Sequence, residues 1–152
     1  MDTSGQITWI EDQFPQLAVE GYEITSDPTD DYNCIAYAAG DTTAWWSHIL
    51  GYRWPNASRT PSIDSLIQVF NGLGFELCDD AHEEPGFEKI ALYAKKGHWT
   101  HAAVQLPGGA WSSKLGPDED IGHRSPESLS GESYGQVHCT MRRPRPEIEP
   151  PR

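Results

Sequence analysis

Two residues far apart in the chain, Cys34 and His101, have the types needed to make and discharge a sulfur nucleophile. A thiol attacks as its thiolate, and a helix N-terminus or a neighbouring imidazole favours that anion. Cys34 lies in Tyr32-Asn33-Cys34-Ile35-Ala36-Tyr37-Ala38-Ala39-Gly40, which reads as a short buried helix closed by Gly40. Asp30 or Asp31 is the expected cap, which puts the sulfur in the first turn. His101 opens His101-Ala102-Ala103-Val104, which reads as a strand. From there an imidazole projects from the sheet edge toward a helix end packed against it. The chemistry expected of such a pair is attack on an amide or isopeptide carbonyl. The ring takes the thiol proton and returns it to the leaving amine. A thioester forms, and water or a second amine discharges it, so the outcome is hydrolysis or acyl transfer.

A third group should hold the imidazole by its other nitrogen. The turn Pro107-Gly108-Gly109 leads into a following strand, so Trp111, Ser112, Ser113 and Lys114 fall beside His101, with Asp118, Asp120 and His123 just beyond. The Cys34 N–H and the Tyr32 hydroxyl are candidate donors to an oxyanion. Tyr32, Asn33, Trp45 and Trp46 are the candidate substrate-binding residues. Plainer readings stay open beside these. Cys34 can pack as a small hydrophobe among alanines, and His101 can bond a backbone carbonyl. Trp45, Trp46 and Trp54 can form a satellite core under a loop. Lys114 is expected to pair with an acidic neighbour and fix its loop. His123 with Asp118 or Asp120 has no further ligands at a familiar spacing, so neither a metal nor a cofactor is expected. The run Asp79, Asp80, Glu83, Glu84 reads as a solvated loop, and Cys78 and Cys139 read as core residues.

These residues need elements to place them. Ile63, Leu66, Ile67 and Phe70 recur at helical spacing after Ser62 and stop at Gly72 or Gly74. Phe75 to Cys78 reads as a short strand. Lys89 to Ala94, Thr100 to Leu106 and Ala110 to Leu115 read as strands joined by turns at Lys95-Lys96-Gly97 and Pro107-Gly108-Gly109. Pro126 to Leu129 is a brief helix at best, and Gln136 to Met141 is a last strand. Near the start, Trp9, Ile10, Phe14 and Leu17 suit a short amphipathic turn or a docking arm. Helices followed by an antiparallel sheet make an α+β pattern.

The segment Asn33-Cys34-Ile35-Ala36-Tyr37-Ala38, followed by His101-Ala102-Ala103-Val104 and a hairpin, resembles the papain-like fold in its compact NlpC/P60 and CHAP form. In that pattern the nucleophile opens a helix, the base opens a strand, and a polar third residue follows on the next strand. By position Cys34 resembles the nucleophile and His101 the base. Ser113 takes the third place, where the pattern more often has His, Asn, Asp or Glu. The resemblance implies N-terminal helices packed on an antiparallel sheet and a cysteine peptidase or amidase activity on a peptide, protein or small amide. A second resemblance covers Tyr32 to Arg143. It is to small bacterial proteins that share the YNCIAYAAGD, GFEKIALY and H-A-A…W-S-S-K-L-G segments, and it brings no assigned activity.

The bulk composition narrows the partners. A chain of 152 residues fits one domain, expected over residues 1–143, with a flexible proline-rich tail over 144–152. The net charge of −12 repels nucleic acid, and the basic cluster Arg142, Arg143 and Arg145 reads as part of a solvated tail. The first residues have no basic and apolar signal pattern, and no stretch is long and apolar enough to span a bilayer. A cytoplasmic protein with no membrane partner is therefore expected. Three cysteines without an export signal suit reduced thiols, and the lack of that signal makes peptidoglycan a poor substrate. The alternative to an enzyme is a catalytically inactive papain-like binding or inhibitor module, whose acidic surface suits a basic partner.

Overall fold

The β3–β4 hairpin organises the chain. Lys96 and Gly97 take left-handed backbone with φ of 54° and 80°, and they join β3 (Phe87–Lys95) to β4 (His98–Gln105). In the computed structural model, which describes residues 4–115 and 117–145, this hairpin sits inside a seven-stranded sheet. The other strands are β1 (Tyr22–Ile24), β2 (Glu76–Cys78), β5 (Trp111–Lys114), β6 (Asp120–His123) and β7 (Gln136–Pro144). Their order is β1-β6-β5-β4-β3-β7-β2, and every pairing is antiparallel. The architecture is α+β, as the sequence pattern implies.

Both faces of the sheet are covered. On one face lie α3 (Cys34–Ala38), α4 (Ile63–Gly72), Trp46 and Trp54, over Ile90, Leu92, Ala102, Val104 and Met141. On the other lie α1 (Ser4–Gln13), α2 (Pro15–Glu20) and a 3-10 turn (Pro126–Leu129), over Ala91, Tyr93, Ala103, Trp111, Leu115 and Ile121. The suggested N-terminal arm is thus two helices, which bury Ile10, Phe14 and Leu17. A strand buried on both faces has no reason to alternate, which is why β3 reads Ile90-Ala91-Leu92-Tyr93 without polar interruption.

Local signals set the two helices that matter most. Asn33, not Asp30 or Asp31, caps α3, and its side chain accepts from the Ala36 N–H at 3.1 Å. Beyond α3, Gly40 at φ 89° lets the Gly40 N–H reach the Tyr37 carbonyl and the Asp41 N–H reach the Ala36 carbonyl, at 3.0 and 2.8 Å. Ser62, where the sequence starts this helix, caps α4 and accepts from the Ser65 N–H at 3.3 Å.

Several expectations need correction. The acidic loop is not simply solvated, because Asp80 and Glu84 hold the buried Lys89 ammonium at 3.0 and 3.5 Å. Arg142 and Arg143 are not in a tail. They belong to β7 and pair with Glu76, Glu84 and Glu88. Pro144 ends β7, and the Arg145 N–H donates to the Gly86 carbonyl at 2.8 Å. The rest of the expected tail lies outside the described residues. Cys78 and Cys139 are half-buried on neighbouring strands rather than sealed in the core.

Candidate functional site

α3 lays Cys34 against the sheet where β4 and β5 part. Their paired residues are Val104 with Ser112 and Gln105 with Trp111, and the pairing does not continue toward His101. Cys34 is buried, 7 % exposed, in the core that contains Ala36, Ala38, Ala102 and Val104. Burial pushes its thiol up to about 11. Backbone hydrogen bonds from Ala102, Ile35 and Cys34 itself, together with the Lys114 charge, act the other way and lose.

His101 belongs to the other face. It pairs with Tyr93 across the β3–β4 ladder, and Tyr93 lies in the second core. Its ring is 5.1 Å from the Tyr93 ring and stacks on Tyr134 at 4.2 Å, with 6° between planes. Neither ring nitrogen has a hydrogen-bond partner among the described residues. Burial, and then the nearby His123, hold its pKa well below the usual histidine value. The ring is therefore neutral. No hydrogen bond joins it to Cys34, and the structure does not bring the two together.

Ser113 serves a different histidine. Its hydroxyl lies 2.8 Å from His123 Nε2, and His123 Nδ1 lies 2.8 Å from the Ser125 carbonyl. A carbonyl only accepts, so Nδ1 carries the proton and Nε2 accepts from Ser113. Burial lowers the His123 pKa to about 4, which fits this neutral ring. The third position of the expected triad is thus occupied elsewhere.

The candidate binding residues all have partners within the fold. The Asn33 side chain also donates to the Trp46 carbonyl at 2.8 Å and accepts from the Trp46 N–H at 3.1 Å. Trp46 lies in the first core, and the Trp45 indole N–H donates to the Asp30 carbonyl. The Tyr32 hydroxyl, proposed as an oxyanion donor, donates to Asp120 at 2.7 Å.

Lys114 is wholly buried, on the face of Cys34. It fixes a loop as expected, but through backbone: its ammonium donates to the Thr29 and Asp118 carbonyls and sits 5.2 Å from the centre of the Tyr32 ring. Burial lowers its pKa, opposed by Asp120, Asp118, Glu119 and Cys34. Among the described residues one buried oxygen of Asp120 has no hydrogen-bond partner. Sequence reasoning missed Tyr134 and Tyr93 as the setting of His101. It also missed that Ser113 and His123 meet, which follows once β6 is recognised as pairing with β5, because Trp111 stands opposite His123.

Two surface clefts lie away from Cys34 and His101, and His123 lines the smaller one. One, about 550 Å³, is bounded by the acidic loop, Gly109 and the 3-10 turn, with Trp111 in its lining and Glu83, Glu127 and Arg124 around it. The other, about 380 Å³, lies between β1 and β6 beside Tyr22 and Arg124. Neither is lined by Cys34 or His101. Among the described residues no group of three or more His, Cys, Asp or Glu could hold a metal ion, and no helix is long and apolar enough to cross a membrane.

A family of otherwise undefined role accounts for most of this architecture. Its model matches residues 23–142, from β1 into β7. The chain belongs to DUF7689, a domain of unknown function. The DUF7689 match contains Cys34, His101, Ser113 and His123, and it leaves out α1 and α2. No curated protein and no solved structure matches the chain.

Proposed function

We propose that this chain is a binding module on a papain-like scaffold, without a working thiol–imidazole pair, and that it takes a basic partner. The observation that carries the reading is the placement of Cys34 and His101 in cores on opposite faces of the sheet. General-base catalysis requires hydrogen-bond reach between the two, directly or through one water. A thiol with a pKa of about 11 is almost entirely protonated at neutral pH. The net charge of −12 favours a partner of opposite sign. The larger cleft offers such a partner Glu83, Glu127 and the edge of an aromatic floor.

One observation favours a second reading, a thiol hydrolase or acyltransferase. Backbone hydrogen bonds and the Lys114 charge do surround the Cys34 sulfur. The same experiment separates the two. The native protein and Cys34→Ala are incubated with activated peptide amides and thioesters, and intact masses are recorded. The binding-module reading expects no acyl adduct on either form. A covalent adduct on the native form that Cys34→Ala lacks would overturn it. In a parallel titration, an oligo-lysine peptide is expected to bind the native chain, and to bind Glu83→Gln/Glu127→Gln several-fold more weakly, by about 1 kcal/mol. Equal binding would remove the cleft from the proposal.

A further inference from the structure

The connection between α3 and α4 carries an apolar tip that no described part of the chain covers. Leu50 is 85 % exposed, Ile49 56 % and Tyr52 46 %. The tip stands on a fixed base, since Trp46 and Trp54 on either side are buried in the first core. Its backbone is tied to itself. The Ser47 N–H donates to the Arg53 carbonyl at 3.1 Å, and the Tyr52 N–H donates to the Ile49 carbonyl at 3.2 Å. The Ile49 N–H donates to the Ser47 hydroxyl at 3.2 Å. The Arg59 guanidinium donates to the Ile49 and Tyr52 carbonyls at 2.9 and 2.8 Å, and to that of His48 at 3.5 Å.

Water would satisfy those groups without help. Hydrocarbon would not, and an unpaired backbone group there is expensive. The charge pattern points the same way. Between Asp41 and Asp64 the chain has Arg53 and Arg59 and neither Asp nor Glu, so cations flank the tip in a chain of net −12, with the Asp41 carboxylate near Arg53 at its base. The carboxylates of the larger cleft lie toward the other face of the sheet, beside Trp111 and Pro126. The carbonyls of His48, Ile49, Tyr52 and Arg53 are already taken, so this part of the loop offers little for a protein groove to hydrogen-bond.

We propose that Ile49, Leu50 and Tyr52 insert into the interface of an anionic lipid bilayer, with Arg53 and Arg59 at the headgroups. This revises the expectation of no membrane partner, which rested on the lack of a spanning stretch; a peripheral contact needs none. It depends neither on Cys34 nor on the cleft.

The test is co-sedimentation of the full chain with phosphatidylcholine vesicles, with and without about 30 % phosphatidylglycerol. The native chain is expected to sediment with the anionic vesicles, at least several-fold more than with the neutral ones. Leu50→Asp is expected to lose about tenfold or more of that binding, with an unchanged thermal melt because its side chain is exposed. Arg59→Gln, which frees the loop carbonyls, is expected to bind more weakly than the native chain. Val19→Asp, at another exposed apolar site on α2 (78 % exposed), is expected to bind as the native chain does. Four results would each overturn the proposal. They are no sedimentation with either vesicle, native-like binding by Leu50→Asp, an equal loss in Val19→Asp, and a native chain that self-associates through Leu50.

Discussion

Lys114 and His101 are both shut away from water, and the chain treats them differently. The Lys114 ammonium is buried with two backbone carbonyls to accept from it and Asp120 close by. A buried charge is tolerable only with such partners. His101 has none at either nitrogen among the described residues, so it is held neutral, and His123 is neutral for a related reason. Both pKa values are depressed in the folded chain, so the unfolded chain binds more protons as pH falls below the ordinary histidine range. The His123 contribution to stability is present above about pH 6.5 and is lost as pH falls toward about 4, and that of His101 is lost in the same direction. Asp120 and Glu119, raised by burial, act in the opposite sense in the carboxylate range. Urea unfolding at about pH 7 and about pH 5 is expected to show a loss of roughly 2 kcal/mol from His123 and a further loss from His101. His123→Gln should remove the His123 share of that difference. An undiminished difference in the variant would mean that His123 is not the group being protonated.

At the scale of elements, Asn33 ties α3 to the loop that starts the exposed tip. One side chain serves the Ala36 N–H, the Trp46 N–H and the Trp46 carbonyl. Asn33→Ala should cost about 2–3 kcal/mol in denaturant unfolding, more than a surface cap alone. Gly135 sets the other face. It sits at φ 73°, and a β-carbon there would run into the Ala94 carbonyl. Gly135→Ala should cost about 2–4 kcal/mol and disturb the neighbouring Tyr134 ring over His101, whereas Gly108→Ala, which meets nothing, should cost only its backbone strain, about 1 kcal/mol. Chemical denaturation of the pair measures the difference.

These elements differ in how plainly the sequence announces them. The Lys96-Gly97 turn, the Ser62 cap and the closing Gly40 are local signals, and the structure follows each of them. β1 and β6 are three and four residues long, too short for a periodic pattern, and they exist because β6 pairs with β5 and β1 with β6. The decisive failure is the side of the sheet. In a strand that faces water, alternation would show which face His101 takes. Here Ala102 and Val104 pack into one core and Ala103 into the other, so both faces are apolar and the pattern carries no parity. Cys34 at the start of a helix and His101 in a strand were legible, but their mutual orientation was not. The twelve-residue spacing from His101 to Ser113 was legible too, yet the β5–β6 pairing gives Ser113 to His123.

At the scale of the whole molecule, one sheet serves two cores, and they are closed by different parts of the chain. The second core is closed by α1 and α2, which lie outside the family match. Ile10, Phe14 and Leu17 are buried there, and each fully buried side chain of this kind is worth about 1.5–3 kcal/mol. Removing residues 1–20 should therefore cost on the order of 5 kcal/mol, comparable with the stability of a small domain. It should also leave the sheet face of Ala91 and Ile121 open to the dye ANS. A truncated chain that melts like the full one and binds no dye would show that these helices do not close the core.

The placement that matters most is the sulfur of Cys34 sealed in one core while the imidazole of His101 faces the other. Alkylation by iodoacetamide, followed at each cysteine by peptide mass spectrometry across pH, tests this directly. Cys34 should react more slowly than the half-buried Cys78 and Cys139 at every pH, with a rate still rising above about pH 9, as befits a thiol near 11. Fast alkylation of Cys34 that is already level between about pH 6 and pH 8 would reveal a thiolate–imidazolium pair and contradict it.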